Sequence, residues 1–216
     1  MSSRFQGKVA VVTAGGAGIG AATAHKFARE RASVVVADIS GTRAAEVATA
    51  ISNQGGIAVP LKMDASDPEG VQAAIRLAVG KWGRLDVMFN NAGLGTVEPL
   101  ESMALETWNR IIAVTLTSTF LGIKHSLPVM RNQGGGSIVN TASISGTRGD
   151  YGMSAYNAAK AGVINLTGQR HWKMHGTKFE SIVFALARLI HAYRNCLAAT
   201  MRPLSGTGSL RIRQNV

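Results

Sequence analysis

Apolar runs of strand length alternate with stretches of helical periodicity through the first 167 residues of this 216-residue chain. The runs are nearly uninterrupted series of Val, Ile and Leu, which is typical of parallel strands covered on both faces. Joining parallel strands through helices places helical layers on both sides of one sheet. The pattern predicts an α/β fold with a doubly wound parallel sheet. The expected strands are Val9–Thr13, Ser33–Asp38, Ile57–Lys62, Leu85–Asn90 and Ser137–Thr141, and the expected helices are Ile19–Arg29, Thr42–Asn53, Pro68–Lys81, Leu100–Arg131 with a break near Thr115, and Ser154–Thr167.

Composition and apolar run length exclude several classes of protein. With 46% hydrophobic and 16% charged residues the chain does not resemble a disordered protein. Its one cysteine excludes an internal disulfide framework and fits a reducing compartment. We find neither an uncharged apolar run long enough to span a membrane nor a signal-peptide pattern. We therefore expect a cytoplasmic protein with no membrane partner.

The net charge of +11 is distributed unevenly. Residues 1–167 contain 15 basic and 11 acidic side chains, whereas residues 168–216 contain 8 and 1. A nucleic-acid-binding protein would show a basic face with stacking aromatic residues or a recognisable motif. The basic residues of the C-terminal part are scattered, so we expect no nucleic-acid partner.

A glycine-rich turn links the first expected strand to the first helix. It reads T-A-G-G-A-G-I-G over residues 13–20, and such a turn brings backbone N–H groups and a helix N-terminus to a pyrophosphate. Asp38 ends the second strand, where a carboxylate can accept hydrogen bonds from both hydroxyls of an adenosine ribose. A carboxylate would repel a 2′-phosphate, and no arginine directly follows Asp38. NAD is therefore favoured over NADP.

Further motifs follow the glycine-rich turn and Asp38 along the chain. They are Asp64–Ala65, Asn90–Asn91–Ala92–Gly93, Ser143 and Tyr156-Asn-Ala-Ala-Lys160. Together with Thr13–Gly20 and Asp38, in this order and spacing, they resemble the short-chain dehydrogenase/reductase family over residues 6–167. The resemblance implies a Rossmann-type fold and an oxidoreductase that transfers a hydride between NAD(H) and an alcohol or ketone.

The resemblance also implies which residues bind NAD. Asp64 and Ala65 would meet the adenine, Ile19 the pyrophosphate region, and residues 91–93 the ribose side of the cofactor. The predicted cofactor-binding residues are Ala14, Gly18, Ile19, Gly20, Asp38, Ile39, Asp64, Ala65, Asn91, Ala92, Gly93, Tyr156 and Lys160.

Tyr156, Lys160 and Ser143 are the predicted catalytic residues. A tyrosine has an ordinary pKa of about 10, too high for a base near neutrality. Lys160 lies one helical turn after Tyr156, so its cation can favour the phenolate and also hold the nicotinamide ribose. Ser143 would donate a hydrogen bond to the substrate oxygen as charge develops.

Two residues depart from the family pattern. Ala14 stands at the first glycine of the loop, where a Cβ is costly if φ is positive. Thr115 stands where the family usually has an asparagine that kinks the helix and holds a water linked to the lysine. We include Thr115 among the predicted catalytic residues. A threonine hydroxyl can bond within its own helix but cannot offer the same contacts as the amide, so we expect proton relay to be impaired and not necessarily lost.

The family pattern stops after Thr167. If one base were missing there, Lys178–Phe179 would encode Ile or Val, and Phe179–Glu180 would encode Arg or a stop. Glu180–Ser181 would encode Ile or Val if the serine codon is of the TCN type. This matches the family's I-R-V segment, so we hypothesise that residues 168–216 are a frameshifted tail, from mutation or sequencing error. A genuinely divergent C-terminus is the alternative. We accordingly divide the chain into an NAD-binding domain, residues 1–167, and an altered tail whose apolar segment Ser181–Leu186 can pair as a substitute strand.

Further expectations concern partners and alternatives. The family would assemble as a homodimer or homotetramer through helices at Thr115–Arg131 and Ser154–Thr167. We expect no metal site, because His171 and His175 have no third ligand at a useful spacing. The alternative function is a nucleotide-binding protein of the same fold with impaired or lost turnover.

Overall fold

Six parallel strands form one sheet in a computed structural model of the chain, which describes residues 3–168 and the backbone of residues 178–186. The order across the sheet is β3-β2-β1-β4-β5-β6, with every neighbouring pair parallel. The doubly wound parallel sheet expected from the sequence is confirmed. The strands are β1 (Val9–Thr13), β2 (Ser33–Asp38), β3 (Ile57–Lys62), β4 (Val87–Asn90), β5 (Gly135–Ser143) and β6 (Lys178–Leu186).

The helices begin and end where local chemistry favours it. The Ser40 side chain caps the second helix, and Asp67 caps the third by accepting from two backbone amides. The third helix ends at Gly83, whose φ of 75° is easily adopted only by glycine. The helices are α1 (Gly18–Arg29), α2 (Gly41–Asn53), α3 (Pro68–Trp82), α4 (Leu105–Ile112), α5 (Ser118–Asn132) and α6 (Ser154–Thr167).

The long helical region expected at 100–131 is divided, as its predicted break near Thr115 requires. A short 3₁₀ turn at Leu100–Ser102 precedes α4, and a π-helical turn at Ala113–Thr117 joins α4 to α5. A π turn inserts one extra residue into the helix, so the helical face shifts there, and such turns are frequent at functional sites.

Hydrophobic cores cover both faces of the sheet. One cluster packs strand residues such as Val11 and Met88 against α3 and α5, and includes Val71 and Leu121. The other packs strand residues such as Val36 against the alanine-rich faces of α1 and α2. Small alanines let those two helices approach the sheet closely. The strands β1, β2 and β4 are buried on both faces, whereas the edge strand β3 is partly exposed.

Strand β6 extends the sheet at the β5 edge. Its backbone pairs with the whole of β5, from Gly135 opposite Lys178 to Ser143 opposite Leu186. The expectation that Ser181–Leu186 can form a strand is therefore confirmed, and the strand begins three residues earlier, at Lys178. His171, His175 and residues 187–216 lie outside the described residues.

Strands β1 and β4 lie side by side at the centre of the sheet, where the chain reverses its direction of winding. In sheets of this kind the loops that follow these two strands diverge and leave a crevice at the carboxyl edge. The crevice places the loop after β1 opposite the loop after β4.

Candidate active site

The carboxyl edge of the sheet collects the predicted site residues from five strands. Ala14 follows β1, Asp38 ends β2, and Asp64 comes shortly after β3. Asn91 follows β4 directly, and Ser143 ends β5. One edge therefore carries all the strand-end residues that the motifs predicted.

The loop after β1 is shaped by close backbone approach. A Cβ built at Gly20 would overlap the backbone oxygen of Ala14, so only glycine fits there. Gly18 has a φ of 51°, and a Cβ built on it would meet nothing within 4 Å. The amino end of α1, which starts at Gly18, has no side-chain cap and no acidic residue in its first turn. The loop thus presents open space and backbone N–H groups, which suits a pyrophosphate.

Ala14 adopts the left-handed conformation that its position in the glycine pattern suggested, with a φ of 48°. A residue with a Cβ loses roughly 1–2 kcal/mol there relative to glycine. Alanine at position 14 therefore lowers the stability of the loop relative to the glycine of the family pattern.

Asp38 is 5% exposed and is surrounded by donors. The amide of Gly16 donates to Oδ2 at 3.0 Å, and the amide of Ser40 donates to Oδ1 at 2.9 Å. The guanidinium of Arg43 lies 3.3 Å from Oδ1. Ile39, the next predicted residue, is 54% exposed at the same edge.

Arg43 is a residue that the sequence reasoning missed. That reasoning considered only an arginine directly after Asp38, whereas the turn at Ser40 and the first turn of α2 return Arg43 to the carboxylate. The signal that was available is the serine cap, whose side chain accepts from the amide of Arg43 and thereby locates the start of α2.

Asp64 and Ala65 follow β3 at the carboxyl edge of the sheet. The Asp64 carboxylate accepts from the Ser66 amide at 2.8 Å and from its hydroxyl at 2.7 Å. These bonds, the hydroxyl bond first, lower the pKa of Asp64 below its ordinary value and keep the carboxylate ionised. Ala65 is half-buried and packs against the core.

Thr13, which was not among the predicted site residues, joins the loops after β1 and β4. Its hydroxyl accepts from the amides of Asn91 at 2.9 Å and Ala92 at 3.1 Å, and donates to the backbone oxygen of Phe89. The Asn91 side chain in turn donates to the backbone oxygen of Ala14 at 3.4 Å. A polar residue at the end of an apolar strand was the available signal for this role.

Lys160 and Tyr156 meet on the first two turns of α6. Lys160 is 2% exposed, its Nζ donates to the backbone oxygen of Thr141 at 2.6 Å, and it lies 5.5 Å from the centroid of the Tyr156 ring. Burial lowers the pKa of Lys160 to about 8. A Cβ at Gly93 would lie 3.5 Å from this Nζ, so the loop after β4 passes directly beside the lysine.

Ser143 occupies the end of β5, on the same edge. Its Oγ accepts from the amide of Ser145 at 3.2 Å, which leaves its own hydrogen for donation to another oxygen. Ser145 donates to Asp150 at 2.6 Å, and Asn157 on α6 donates to the backbone oxygen of Asp150. These bonds tie the segment after Ser143 to the helix that carries the tyrosine.

Thr115 lies fully buried in the π-helical turn, and its hydroxyl bonds outside its own helix. The hydroxyl donates to the backbone oxygen of Leu94 and accepts from the Leu94 amide, both at 3.0 Å. Its backbone oxygen accepts from the Thr119 hydroxyl at 3.2 Å. A hydroxyl can form this pair of bonds because it both donates and accepts, so Thr115 holds the loop that continues from Gly93.

The described part of the chain has no group of three or more His, Cys, Asp or Glu side chains that could hold a metal ion. None of the helices between residues 3 and 168 is both long and apolar enough to cross a membrane.

Comparison with known proteins gives consistent matches. The family model described as short chain dehydrogenase matches residues 8–185. Cyclohexanol dehydrogenase from Acinetobacter sp. (strain SE19) is 44% identical over 168 residues, or 77% of this chain and 67% of the relative. Cis-4-hydroxycyclohexanecarboxylate dehydrogenase from Sinomonas cyclohexanicum is 41% identical over the same shares of both chains.

The solved structures that resemble the chain include one of NAD⁺-bound xylitol dehydrogenase. It is 32% identical with a TM-score of 0.73, and the match covers 76% of this chain and 64% of that one. The chain thus spans about two thirds of the length of the relatives it matches.

Proposed function

The chain belongs to the short-chain dehydrogenases, as its motifs predicted, and on that premise we propose that it transfers a hydride between NAD(H) and an alcohol or ketone. The observation that carries the proposal is the buried Lys160 cation beside the Tyr156 ring, at the edge where the glycine loop and Asp38 also lie.

Tyr156 exchanges the proton in this proposal. A positive charge nearby favours the phenolate over the phenol, and the Lys160 ammonium group is held there by the Thr141 backbone oxygen. In the oxidising direction the phenolate would take the proton of the substrate hydroxyl, and in the reducing direction the phenol would return it. Ser143 would donate to the same substrate oxygen and orient it toward Tyr156.

The crevice has the features that NAD needs. When bound, the nicotinamide ring of that cofactor accepts or supplies the hydride. Asp38 would accept from the ribose hydroxyls, the loop at 14–20 would hold the pyrophosphate, and Asp64 with Ala65 would border the adenine. Residues 91–93 and Lys160 would border the nicotinamide ribose. An NAD⁺-bound relative of 32% identity supports NAD as the cofactor.

Alicyclic secondary alcohols are the substrates that we propose. Two relatives of more than 40% identity are named for cyclohexane-based alcohols. An apolar side chain lies near Tyr156: a Cβ built at Gly95 would be 3.2 Å from the tyrosine ring and 3.5 Å from Met153. Such surroundings favour a hydrocarbon ring next to the reacting carbon.

A nucleotide-binding protein with impaired turnover is the second candidate, and one observation favours it. Ala14 is strained in the loop that would hold the pyrophosphate. The hypothesis of a frameshifted tail from residue 168 adds to this, because in the family that region closes over the nicotinamide and shapes the substrate pocket. Both candidates predict NAD binding, and only the first predicts turnover.

Assembly and location complete the proposal. We propose a homodimer or homotetramer through the α5 and α6 faces, where Phe120 is 44% exposed although the neighbouring Leu121 and Ile123 are buried. We also propose a cytoplasmic location, because a chain with one cysteine fits a reducing compartment.

Two measurements test the function. NADH binding is followed by the change in its fluorescence, and binding at micromolar concentration is expected. A panel of alicyclic, linear and sugar alcohols is then tested with NAD⁺, with this chain and with a version whose reading frame is restored after Thr167. The absence of NADH binding by both chains would reject the proposal, and binding without turnover by both would favour the second candidate.

A further inference from the structure

One segment, residues 144–153, joins β5 to α6 at the candidate site. Across it, the Ser145 hydroxyl donates to Oδ2 of Asp150 at 2.6 Å. The backbone oxygen of Asp150 accepts from the Asn157 side chain at 2.9 Å and from the Met153 amide at 3.2 Å. Asp150 is therefore bonded to the start of the segment by its side chain and to the start of α6 by its backbone.

The Asp150 side chain acts on the end of the segment that carries Ser143. The Ser145 amide donates to Oγ of Ser143 at 3.2 Å, so the position of this amide restricts where the Ser143 hydroxyl directs its own hydrogen. Ser145 is buried in a single 3₁₀ turn, and so short a turn has poor hydrogen-bond geometry of its own. A Cβ built at Gly146 would come within 2.7 Å of the Lys160 backbone carbon, so this turn packs directly on α6. The bond from Ser145 to Asp150 thus holds the turn that orients Ser143.

The Asp150 backbone acts on the end of the segment that leads to Tyr156. Helix α6 begins after Met153 without a side-chain hydrogen bond that caps its first turn. A helix start without a capping side chain is less stable than a capped one. The bonds from the Met153 amide and the Asn157 side chain to Asp150 hold this turn in place, and Asn157 directly follows Tyr156. Both proposed hydroxyl groups of the site are therefore held through the same residue.

We propose that Asp150 is a positioning residue, which sets the distance between the Ser143 and Tyr156 hydroxyl groups. This inference rests on the proposed function, in which both hydroxyls meet one substrate oxygen. Two groups that contact the same atom depend on their separation, and a misplacement of about 1 Å can cost about 10²-fold in rate. Asp150 acts through Ser145 and through the start of α6, and not by contact with the substrate.

Substitutions separate the Asp150 side chain from its backbone. Asp150→Ala removes the carboxylate and leaves the backbone oxygen, whereas Asp150→Asn keeps a side-chain oxygen that can accept from Ser145. Ser145→Ala removes the same bond from its other end, and the double variant shows whether the two changes act as one. Thr147→Val is the matched control, because the Thr147 hydroxyl lies in the same segment but donates to the backbone oxygen of Ile144 at 2.8 Å.

The experiment has one readout with substrate and one without. The first is the single-turnover rate of NADH formation from NAD⁺ and the best alcohol of the panel, with KM for the alcohol and Kd for NADH, in the frame-restored chain if only that chain turns over. The second is hydrogen exchange of the Ser145 amide in the cofactor-free protein. Thermal unfolding checks that each variant is folded, and Ser145→Ala carries the test if Asp150→Ala is not.

We expect Asp150→Ala and Ser145→Ala each to lower the single-turnover rate about tenfold and to change KM and the Kd for NADH less than about twofold, because orientation matters most in the transition state. The double variant should lose little more than either single variant, because both remove one bond. Asp150→Asn should stay within about threefold of the parent rate, because its amide oxygen can accept the same hydrogen bond. Exchange of the Ser145 amide should be faster in Asp150→Ala and unchanged in Thr147→Val.

The outcomes separate this inference from the proposed function. If neither chain turns over, the proposed function fails and the inference falls with it. If turnover is found but Asp150→Ala slows it no more than Thr147→Val does, or Asp150→Asn is as slow as Asp150→Ala, the inference is overturned while the proposed function stands. Equal losses in rate and in NADH binding would show a merely structural role and would also overturn it. Unchanged exchange of the Ser145 amide in Asp150→Ala would overturn it whatever the rates.

Discussion

Burial of the charged Lys160 side chain is predicted to destabilise the folded protein. The residue is 2% exposed, and its ammonium group donates to the Thr141 backbone oxygen at 2.6 Å. Burial lowers the pKa of Lys160 from 10.5 to about 8. Because the folded pKa is the lower one, the unfolded chain binds more protons between these two values. The free energy of unfolding should therefore rise with pH through that window and be lowest below pH 8.

The magnitude follows from the two pKa values. At about 1.4 kcal/mol per pKa unit, charged Lys160 costs about 3 kcal/mol of folding stability at pH 7. Lys160→Met removes this cost and fills similar space, but it also removes the hydrogen bond to Thr141, which is worth about 1 kcal/mol. The variant should be about 2 kcal/mol more stable than the parent at pH 7, and the difference should nearly disappear at pH 10.

Urea unfolding of the cofactor-free proteins at pH 7 and pH 10, followed by tryptophan fluorescence, measures this difference. Lys81→Met, at an exposed lysine of α3, is the matched control and should change stability by less than about 0.5 kcal/mol at either pH. A Lys160→Met protein that is less stable than the parent at pH 7, or whose advantage is the same at both pH values, would refute the reasoning.

Three further results are expected. Ala14→Gly and Arg31→Gly should each raise the free energy of unfolding by about 0.5–1 kcal/mol, because both residues have positive φ and the backbone strain relieved exceeds the entropy added to the unfolded chain. Only Ala14→Gly should also tighten NADH binding. Equal effects of the two variants on NADH binding would contradict the role of the loop. Thr115→Val should lower the free energy of unfolding in urea by about 2 kcal/mol, because both Leu94 backbone groups lose this partner. Thr115→Ser should retain most of the stability. An unchanged free energy of unfolding in the valine variant would contradict a stabilising role for these hydrogen bonds. Resequencing around the Thr167 codon should find the missing base, and a repeatedly confirmed frame that encodes this chain would refute the sequencing-error form of the hypothesis.

The fold could be predicted from local patterns of apolar residues in the sequence. β1, β2 and β4 are continuous apolar runs, and they are buried on both faces as such runs require. β3 is partly exposed at the edge of the sheet, and β5 alternates between buried and partly buried residues over most of its length. Element ends differed by a few residues, as in β5, which extends beyond both expected limits to pair with β6. That extension depends on a partner strand 43 residues further along the chain and has no local signal.

The strand-end residues of the candidate site were equally predictable, because each follows a recognisable run. The contacts that organise them were not. Arg43 reaches Asp38 only because Ser40 starts α2 at the right place, and Thr115 reaches Leu94 only because a π turn rotates it toward the loop after β4. Both contacts depend on how separate elements pack, which spacing along the chain does not specify.

The central claim is that Tyr156 exchanges the proton with substrate, and Tyr156→Phe tests it most directly. The measurement is the rate with the best alcohol of the panel together with the Kd for NADH, in the frame-restored chain if the present chain does not turn over. We predict a loss of at least about 10²-fold in turnover with little change in NADH binding, because only the hydroxyl is removed. A phenylalanine variant that retains more than about a tenth of the parent rate, a barrier change under about 1.4 kcal/mol, would contradict the account.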